Sequence, residues 1–193
     1  QALYGVQTLR GIENFSISKF RLSEYPLFIK GLAITKMAAA MANFELGLLT
    51  VEQKDAIIAA CGEILDGKHH DQFPVDMIQG GAGTTTNMNA NEVIANRALE
   101  LMGHERGEYQ YCSPNDHVNC SQSTNDAYPT AIHIGMYFKH LQLLPHLEEL
   151  IASFRKKGEE FSQIIKMGRT QLEDAVPMTL GQTFNGFASI LQD

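Results

Sequence analysis

The hydrophobic positions of the chain fall mostly into helical periods, separated by polar stretches rich in glycine, serine, threonine and asparagine. Residues 1–26 show no sustained period and predict an irregular, extended lead-in. Residues 27–46 hold many good helix formers, with Pro26 suited to a first helical position and Gly47 suited to a stop. The first regular element predicted is therefore a helix that begins next to Pro26.

Two more helices are predicted in the next 55 or so residues. Thr50 and Gln53 have the spacing of a capping box, which predicts that a helix over 51–66 begins directly after Thr50. Residues 68–86 predict a loop, since they contain a proline and the run GGAG. A helix is then predicted over 87–102, with its apolar residues at intervals of three and four.

A much longer run of helical periodicity follows an irregular polar stretch at 103–126. Apolar residues recur over about 38 positions, and a helix of that length would extend about 57 Å at 1.5 Å per residue. Pro145 removes one backbone hydrogen bond within it and allows a kink, and Gly158 costs about 1 kcal/mol relative to alanine. A loop is predicted around Gly168, and a last helix is predicted from about Pro177.

These patterns predict an all-α fold. We expect a small, mainly helical N-terminal domain at 1–121 and the first part of a long-helix bundle at 122–193. The last helix reaches Asp193 without a stop signal, and a very long helix needs long partners to cover its apolar face. We therefore expect the chain to be an N-terminal portion of a larger helical-bundle protein, or to associate through its uncovered helices.

Composition excludes several classes of protein. The net charge is −7, from 22 acidic and 15 basic residues, which argues against binding nucleic acid. We find no signal peptide and no run of about 18 apolar residues, so no membrane span is predicted. The three cysteines, Cys61, Cys112 and Cys120, lack CxxC spacing and favour a reducing, cytoplasmic environment.

Three polar segments are candidates for chemistry: GGAGTTTNMNANE at 80–92, CSQSTNDAYPT at 120–130 and GRTQLEDAVP at 168–177. The first two come directly before predicted helices, whose N-termini offer unpaired N–H groups and about half a positive charge to an anion. Each segment taken alone is more often explained by helix capping and turn chemistry than by binding. However, Asn87 and Asn91 share a helix face although asparagine is a poor helix former, which indicates a further role.

Other motifs are weaker. GGAGTTT lacks the lysine of a nucleotide-binding P-loop, and the chain has no GxSxG elbow for a hydrolase, although Asp116 and His117 lie near Ser121 and Ser123. The histidines do not show metal-ligand spacing such as HExxH. We therefore predict no metal site.

Taken together and in this order, the polar segments resemble the aspartase/fumarase superfamily of lyases. Four stretches carry the resemblance, which covers nearly the whole chain: YGVQTLRGIENF at 4–15, DQFPVDMIQGGAGTTTNMNANEV at 71–93, GEYQYCSPNDHVNCSQSTNDAYPT at 107–130 and MGRTQLEDAVPMTLGQ at 167–182. The combination is far more specific than any one of its motifs.

The resemblance implies a dicarboxylate site built from three separate regions. The substrate-binding residues that it implies are Thr84, Ser123, Thr124, Asn125, Thr170 and Gln171. Arg10 is a further candidate as a carboxylate partner, and Asn87 is a candidate from its position in the first segment. Asn115 and Asp116 match a loop that forms an accessory anion site in fumarase-like members.

The activity implied is the reversible deamination of L-aspartate to fumarate and ammonia, without a redox or organic cofactor, in a homotetramer whose sites draw on three subunits. The general base of the family is a serine on a later flexible loop that residues 1–193 do not contain, so the chain alone is expected to be inactive. Fumarases usually carry histidine at Gln171 and SSND at 123–126, where this chain reads STND. Both differences favour an aspartase, while a class II fumarase and a non-catalytic structural or binding derivative stay open as alternatives.

Overall fold

Helices make up almost all of the regular structure of residues 2–193, which are the residues that this computed structural model describes. The elements are α1 (Val6–Asn14), α2 (Pro26–Glu45), α3 (Val51–Leu65), α4 (Thr84–Leu101), α5 (Thr124–Glu160), β1 (Ile165–Thr170), β2 (Glu173–Thr179) and α6 (Leu180–Gln192). Short 3-10 helices lie at Leu22–Glu24 and His70–Gln72, and a π-helix lies at Pro114–Val118. The all-α prediction is confirmed, since the described residues contain only one two-stranded hairpin.

The predicted starts of α2 and α3 are confirmed at the level of single residues. Pro26 is the first residue of α2, where its missing N–H group costs no helical hydrogen bond. At α3, the N–H group of Gln53 donates to Thr50 Oγ1 at 3.2 Å, and the N–H group of Thr50 donates to Gln53 Oε1 at 3.1 Å. Local chemistry therefore sets both of these boundaries.

The predicted irregular lead-in at 1–26 is wrong, because it contains helix α1. The N-terminus of this helix is capped by Glu92, which lies far along the chain on α4. The Glu92 carboxylate accepts the N–H groups of Gly5, Gln7 and Thr8 at 2.9, 2.9 and 3.0 Å and the Thr8 hydroxyl at 2.6 Å. A nine-residue helix is marginal in water, so this distant carboxylate explains why the local pattern misses it.

Replacing Glu92 with glutamine is expected to lower the free energy of unfolding by about 2 kcal/mol. Glu92 is only 2% exposed, and an amide nitrogen cannot accept the hydrogen bonds that one carboxylate oxygen now accepts. Urea denaturation measures the loss, and Glu148→Gln is the matched control because Glu148 is exposed on α5. Equal losses in the two variants would contradict the capping role.

The chain divides into two compact units, one ending at Phe138 and the other spanning Lys139–Asp193. In the first unit, α2 packs on α3 and α3 packs on α4 around a common core. The largest apolar side chains that are fully buried there are Phe73, Leu22, Ile29, Leu32, Ile57, Ile64, Ile94 and Leu99. The domain boundary expected between 121 and 122 stays a prediction, because α5 runs through both compact units.

Helix α2 is the one helix among residues 2–193 that is long and apolar enough, by length and composition alone, to cross a membrane. Its 20 residues include a window of mean hydropathy 1.3. The side chains of Ile29, Leu32 and Ala33 are buried in the core of the first unit. Packing of α2 against α3 and α4 therefore accounts for its apolar composition.

The second unit contains the later part of α5, the hairpin and α6. The hairpin is antiparallel, with Ile165 opposite Thr179 and Thr170 opposite Glu173. The loop predicted around Gly168 is therefore wrong, and the last helix begins at Leu180 rather than near Pro177. The short strands are largely exposed, so they carry little hydrophobic alternation that a pattern could detect.

Helix α6 packs on α5 within this unit through phenylalanines. The ring centroids of Phe154 and Phe187 lie 5.6 Å apart, and those of Phe161 and Phe184 lie 5.5 Å apart. Gly158 lies at a close approach of the two helices, since a Cβ atom there would lie only 2.2 Å from Asn185 Oδ1. Close packing of α6 thus explains a glycine that is unfavourable for α5 considered alone.

Candidate functional site

Helix α4 begins with free backbone donors. Gly83 precedes it in a left-handed conformation, and the cap comes from Gln79, whose Oε1 accepts the N–H group of Thr86 at 2.8 Å. Gln79 Nε2 also donates to Thr86 Oγ1 at 2.8 Å. Within residues 2–193, no acceptor meets the N–H groups of Thr84 and Thr85. Thr84, the first predicted substrate residue, is exposed at this N-terminus.

The loop that leads to α4 is anchored by Asp76, a buried carboxylate. It accepts the N–H groups of Ile17, Ser18 and Ile78 at 3.0, 2.7 and 2.8 Å and the Ser18 hydroxyl at 2.7 Å. Burial opposes ionisation, but these hydrogen bonds outweigh it and lower the pKa of Asp76 to about 2. The carbonyl oxygen of Asp76 accepts from Gln79 at 3.0 Å, which ties the anchor to the α4 cap.

Acid is expected to weaken the fold through Asp76 as the pH falls from about 4 to about 2. Above pH 4 both folded and unfolded states hold the carboxylate charged, and below it the unfolded state takes up the proton first. Stability therefore falls until the folded carboxyl titrates near pH 2. Urea midpoints across this range should fall less steeply in Asp76→Asn than in the parent, while the exposed Asp66→Asn should follow the parent. Parallel curves for all three would contradict the assignment.

Side-chain hydrogen bonds also cap the N-terminus of helix α5. The N–H group of Ser123 donates to Asp126 Oδ2 at 3.0 Å, and Ser123 Oγ accepts the N–H group of Asn125 at 3.2 Å. Thr124 is the first helical residue, and the side chain of Asn125 is exposed. Ala127 is buried and fixes this end of the helix in the first unit. The segment therefore caps α5 and also presents hydroxyl and amide groups to solvent.

The starts of α4 and α5 lie side by side. Asn87 Nδ2 donates to Thr124 Oγ1 at 3.4 Å and to Asn119 Oδ1 at 3.0 Å. The aromatic ring of Tyr128 covers the Gly83 backbone so closely that a Cβ atom on Gly83 would lie 2.3 Å from it. Two of the three polar segments, which are about 40 residues apart in sequence, thus meet at two helix N-termini in one compact unit.

A buried polar network lies beneath these termini, and sequence reasoning missed most of it. Lys36 is fully buried on α2, and its Nζ atom donates to Asn119 Oδ1 at 2.9 Å and to Gln122 Oε1 at 3.0 Å. Burial lowers the pKa of Lys36 to about 7, although the nearby Cys61 acts in the opposite direction. The spacing of residues in α2 could have indicated that Lys36 is buried, since Lys36 continues the buried positions of this helix at spacings of three and four.

Three of the additional candidate residues are exposed. Arg10 lies on the exposed face of α1, which packs against α4. Asn115 and Asp116 lie on the short π-helix, where Ser113 Oγ donates to Asp116 Oδ2 at 2.9 Å. The roles of Arg10 as a carboxylate partner, and of Asn115 and Asp116 in an accessory anion site, stay predictions.

Thr170 and Gln171 lie at the turn of the hairpin in the second unit. Both are exposed, and Gln171 and Leu172 adopt positive φ values of 44° and 70°, as a tight two-residue hairpin turn requires. Leu172 is 96% exposed, so the turn presents an uncovered apolar side chain beside two polar ones. The participation of Thr170 and Gln171 in the substrate site stays a prediction.

The chemistry of the site in the first unit is that of neutral donors. At the N-termini of two helices the site brings together free N–H groups, threonine and serine hydroxyls and asparagine amides. This combination suits a carboxylate or a developing oxyanion. Among residues 2–193, no group of three or more His, Cys, Asp and Glu side chains is arranged to hold a metal ion.

Comparison with known proteins shows which family the chain resembles. A family model described as Lyase matches residues 1–193. The chain is 60% identical over its whole length to an aspartate ammonia-lyase of Pseudomonas canavaninivorans, of which it covers 41%. It also matches the crystal structure of the fumarate lyase:delta crystallin of Brucella melitensis bound to cobalt, with a TM-score of 0.91, 54% identity and coverage of 100% of this chain and 42% of that one.

A class II fumarase of Schistosoma mansoni matches with a TM-score of 0.85 and 40% identity, covering 100% of this chain and 40% of that one. The chain thus spans about 40% of the length of the proteins it matches. The family match covers every residue, and the resemblance seen in the polar segments is confirmed. The chain therefore belongs to the aspartase/fumarase superfamily of lyases.

Proposed function

We propose that the protein containing this chain catalyses the reversible deamination of L-aspartate to fumarate and ammonia, and that residues 1–193 supply part of its substrate site. One observation carries the proposal: the free N–H groups at the start of α4 lie beside the hydroxyl and amide groups at the start of α5, linked by Asn87 and Thr124. The identity of 60% to an aspartate ammonia-lyase supports the choice of reaction.

In this proposal, the two helix starts bind the carboxylates of the substrate. Thr84 and its neighbour Thr85 offer backbone donors, while Ser123, Thr124 and Asn125 offer hydroxyl and amide groups. Neutral donors suit this task because the negative charge on one carboxylate increases during the reaction. Donors already fixed by the fold then need little reorganisation when that charge develops.

The proposed reaction removes a proton from the carbon next to the side-chain carboxylate. The electron pair left on that carbon is delocalised into the carboxylate, which becomes a doubly negative aci-form. The pair then forms the carbon–carbon double bond as the bond to nitrogen breaks and ammonia leaves. We propose that the base is a serine outside residues 1–193, so that this chain alone binds weakly and does not turn over.

We also propose the assembly and location that the resemblance implies. The active protein would be a homotetramer with sites shared among three subunits, in which Thr170 and Gln171 form the third region of each site. A reducing compartment such as the cytoplasm suits the three free thiols, of which Cys61 and Cys112 are buried. No redox or organic cofactor is part of the proposed reaction.

The full-length protein should release fumarate from L-aspartate, which the ultraviolet absorbance of fumarate reports directly. The control is the chain of residues 1–193 at the same concentration, which should give no fumarate. Dehydration of malate without deamination of aspartate would replace the proposal with a class II fumarase. The match to the Schistosoma mansoni structure favours that second candidate, whereas Gln171 argues against it.

A lack of any dicarboxylate binding by the full-length protein would instead favour a non-catalytic structural or binding derivative. Calorimetric titration with succinate, which cannot react, decides this point without depending on turnover.

A further inference from the structure

Lys36 is a buried amine for which the described chain offers no acidic partner. Its side chain is fully buried, and none of the ion pairs among residues 2–193 includes it. Its hydrogen-bond partners are the amide oxygens of Asn119 and Gln122, at 2.9 and 3.0 Å. Buried charges are normally paired with opposite charges, so a lysine held only by amides requires an explanation.

Both partners of Lys36 belong to the turn that leads into α5. Asn119 Nδ2 donates to the carbonyl oxygen of Gln122 at 2.9 Å, and Gln122 Nε2 donates to those of Val118 and Cys120 at 2.9 and 3.1 Å. The turn includes Ser121 in a left-handed conformation, with φ of 57°, which is unfavourable for serine. The conformation of this turn therefore depends on the side chains that hold it from beneath.

The same network reaches the candidate site. Asn119 Oδ1 accepts three donors, from Lys36 Nζ at 2.9 Å, Asn87 Nδ2 at 3.0 Å and Asn91 Nδ2 at 3.2 Å. Asn87 Nδ2 also contacts Thr124 Oγ1 at 3.4 Å. Lys36 is thus connected to Thr124 through two side chains, and the network joins α2, α4 and the start of α5.

We propose that Lys36 is a positioning residue for the dicarboxylate site, which fixes the turn before Ser123 through Asn119 and Gln122 and supplies positive charge beneath it when a dicarboxylate binds. This inference rests on the proposed function for the identity of the ligand. A dicarboxylate bound at the helix starts brings negative charge toward a lysine that has no acidic partner among residues 2–193. The ligand and Lys36 then stabilise each other, which is the benefit that offsets burying the charge.

The test compares Lys36→Met with Lys68→Met in the full-length protein, since Lys68 is exposed and its replacement changes the net charge equally. Calorimetric titration with succinate should show at least a tenfold loss of affinity in Lys36→Met and no change in Lys68→Met. The thermal midpoint of Lys36→Met should stay near that of the parent, because the desolvation cost that is removed offsets the hydrogen bond that Gln122 Oε1 loses. A lower midpoint with unchanged succinate affinity would show a purely structural lysine and overturn the proposal.

Two further measurements keep the test decisive. If Lys36→Met does not fold, the test uses Gln122→Ala, which removes one acceptor of Lys36 and keeps the lysine. A smaller loss of succinate affinity is then expected, and full affinity overturns the proposal. If the parent itself does not bind succinate, the proposed function fails, and hydrogen exchange then decides the positioning role. Lys36→Met must accelerate amide exchange at 119–127 but not in α3, and unchanged exchange at 119–127 overturns the role.

Discussion

Replacing Thr124 with valine in the full-length protein is expected to lower kcat/KM for L-aspartate by roughly 100-fold or more, which is the usual effect of losing one well-placed donor to a developing oxyanion. Valine keeps the shape of threonine and replaces its hydroxyl group with a methyl group. Thr124 is the first residue of α5, and among residues 2–193 its Oγ1 receives only one long hydrogen bond, from Asn87 Nδ2 at 3.4 Å. The substitution should therefore disturb the fold little.

Thr130→Val is the matched control, because Thr130 is exposed two turns further along the same helix. Steady-state kinetics should show parental values for this control, and circular dichroism should show the same helix content and similar thermal midpoints for both variants. A Thr124→Val enzyme with parental kcat/KM would remove the start of α5 from the substrate site. A loss of folding in Thr124→Val but not in Thr130→Val would assign Thr124 a structural role instead.

The elements that could be predicted from sequence are those set by neighbouring residues. Pro26 and the pair Thr50 and Gln53 mark helix starts through local chemistry, and the structure places both helices within one residue of the prediction. The length of α5 was also predictable, because apolar spacing of three and four persists through Pro145. The polar segments before α4 and α5 were recognisable because neutral hydroxyl and amide groups cluster at predicted helix starts.

The features that could not be predicted depend on groups that are distant in sequence. Helix α1 needs the carboxylate of Glu92, and the hairpin at 165–179 has mostly exposed strands without a clear alternation. The burial of Lys36 could not be predicted, because a lysine in an apolar helix usually faces solvent and its acceptors lie more than 80 positions away. A buried polar network becomes visible only when all its members are placed in space.

Gly83 is the position at which a single methyl group is expected to do the most damage to the site. It has a φ value of +87°, so alanine there costs about 1 to 2 kcal/mol in backbone strain. Its Cβ atom would also lie 2.3 Å from the ring of Tyr128, an overlap that requires the starts of α4 and α5 to separate. We expect Gly83→Ala to lower the free energy of unfolding by about 3 kcal/mol or more.

Gly67 provides the control that isolates the contact. It has nearly the same φ, +88°, but a Cβ atom there meets nothing within 4 Å. Gly67→Ala should therefore show the backbone strain alone, about 1 to 2 kcal/mol in urea denaturation. The difference between the two variants measures the packing of Tyr128 on the start of α4, and equal losses would mean that this contact contributes nothing.

A double-mutant cycle with Tyr128→Ala completes the test, because removing the ring removes the overlap. The combined variant should lose less stability than the sum of the single losses, by at least about 1 kcal/mol for directly contacting groups. The loss of succinate affinity in the combined variant should likewise be smaller than the sum of the single losses. The reason is that the free N–H groups of Thr84 and Thr85 move with the start of α4. Additive losses of stability and affinity would show that Gly83 and Tyr128 act independently, and the two helix starts would then need another explanation for their alignment.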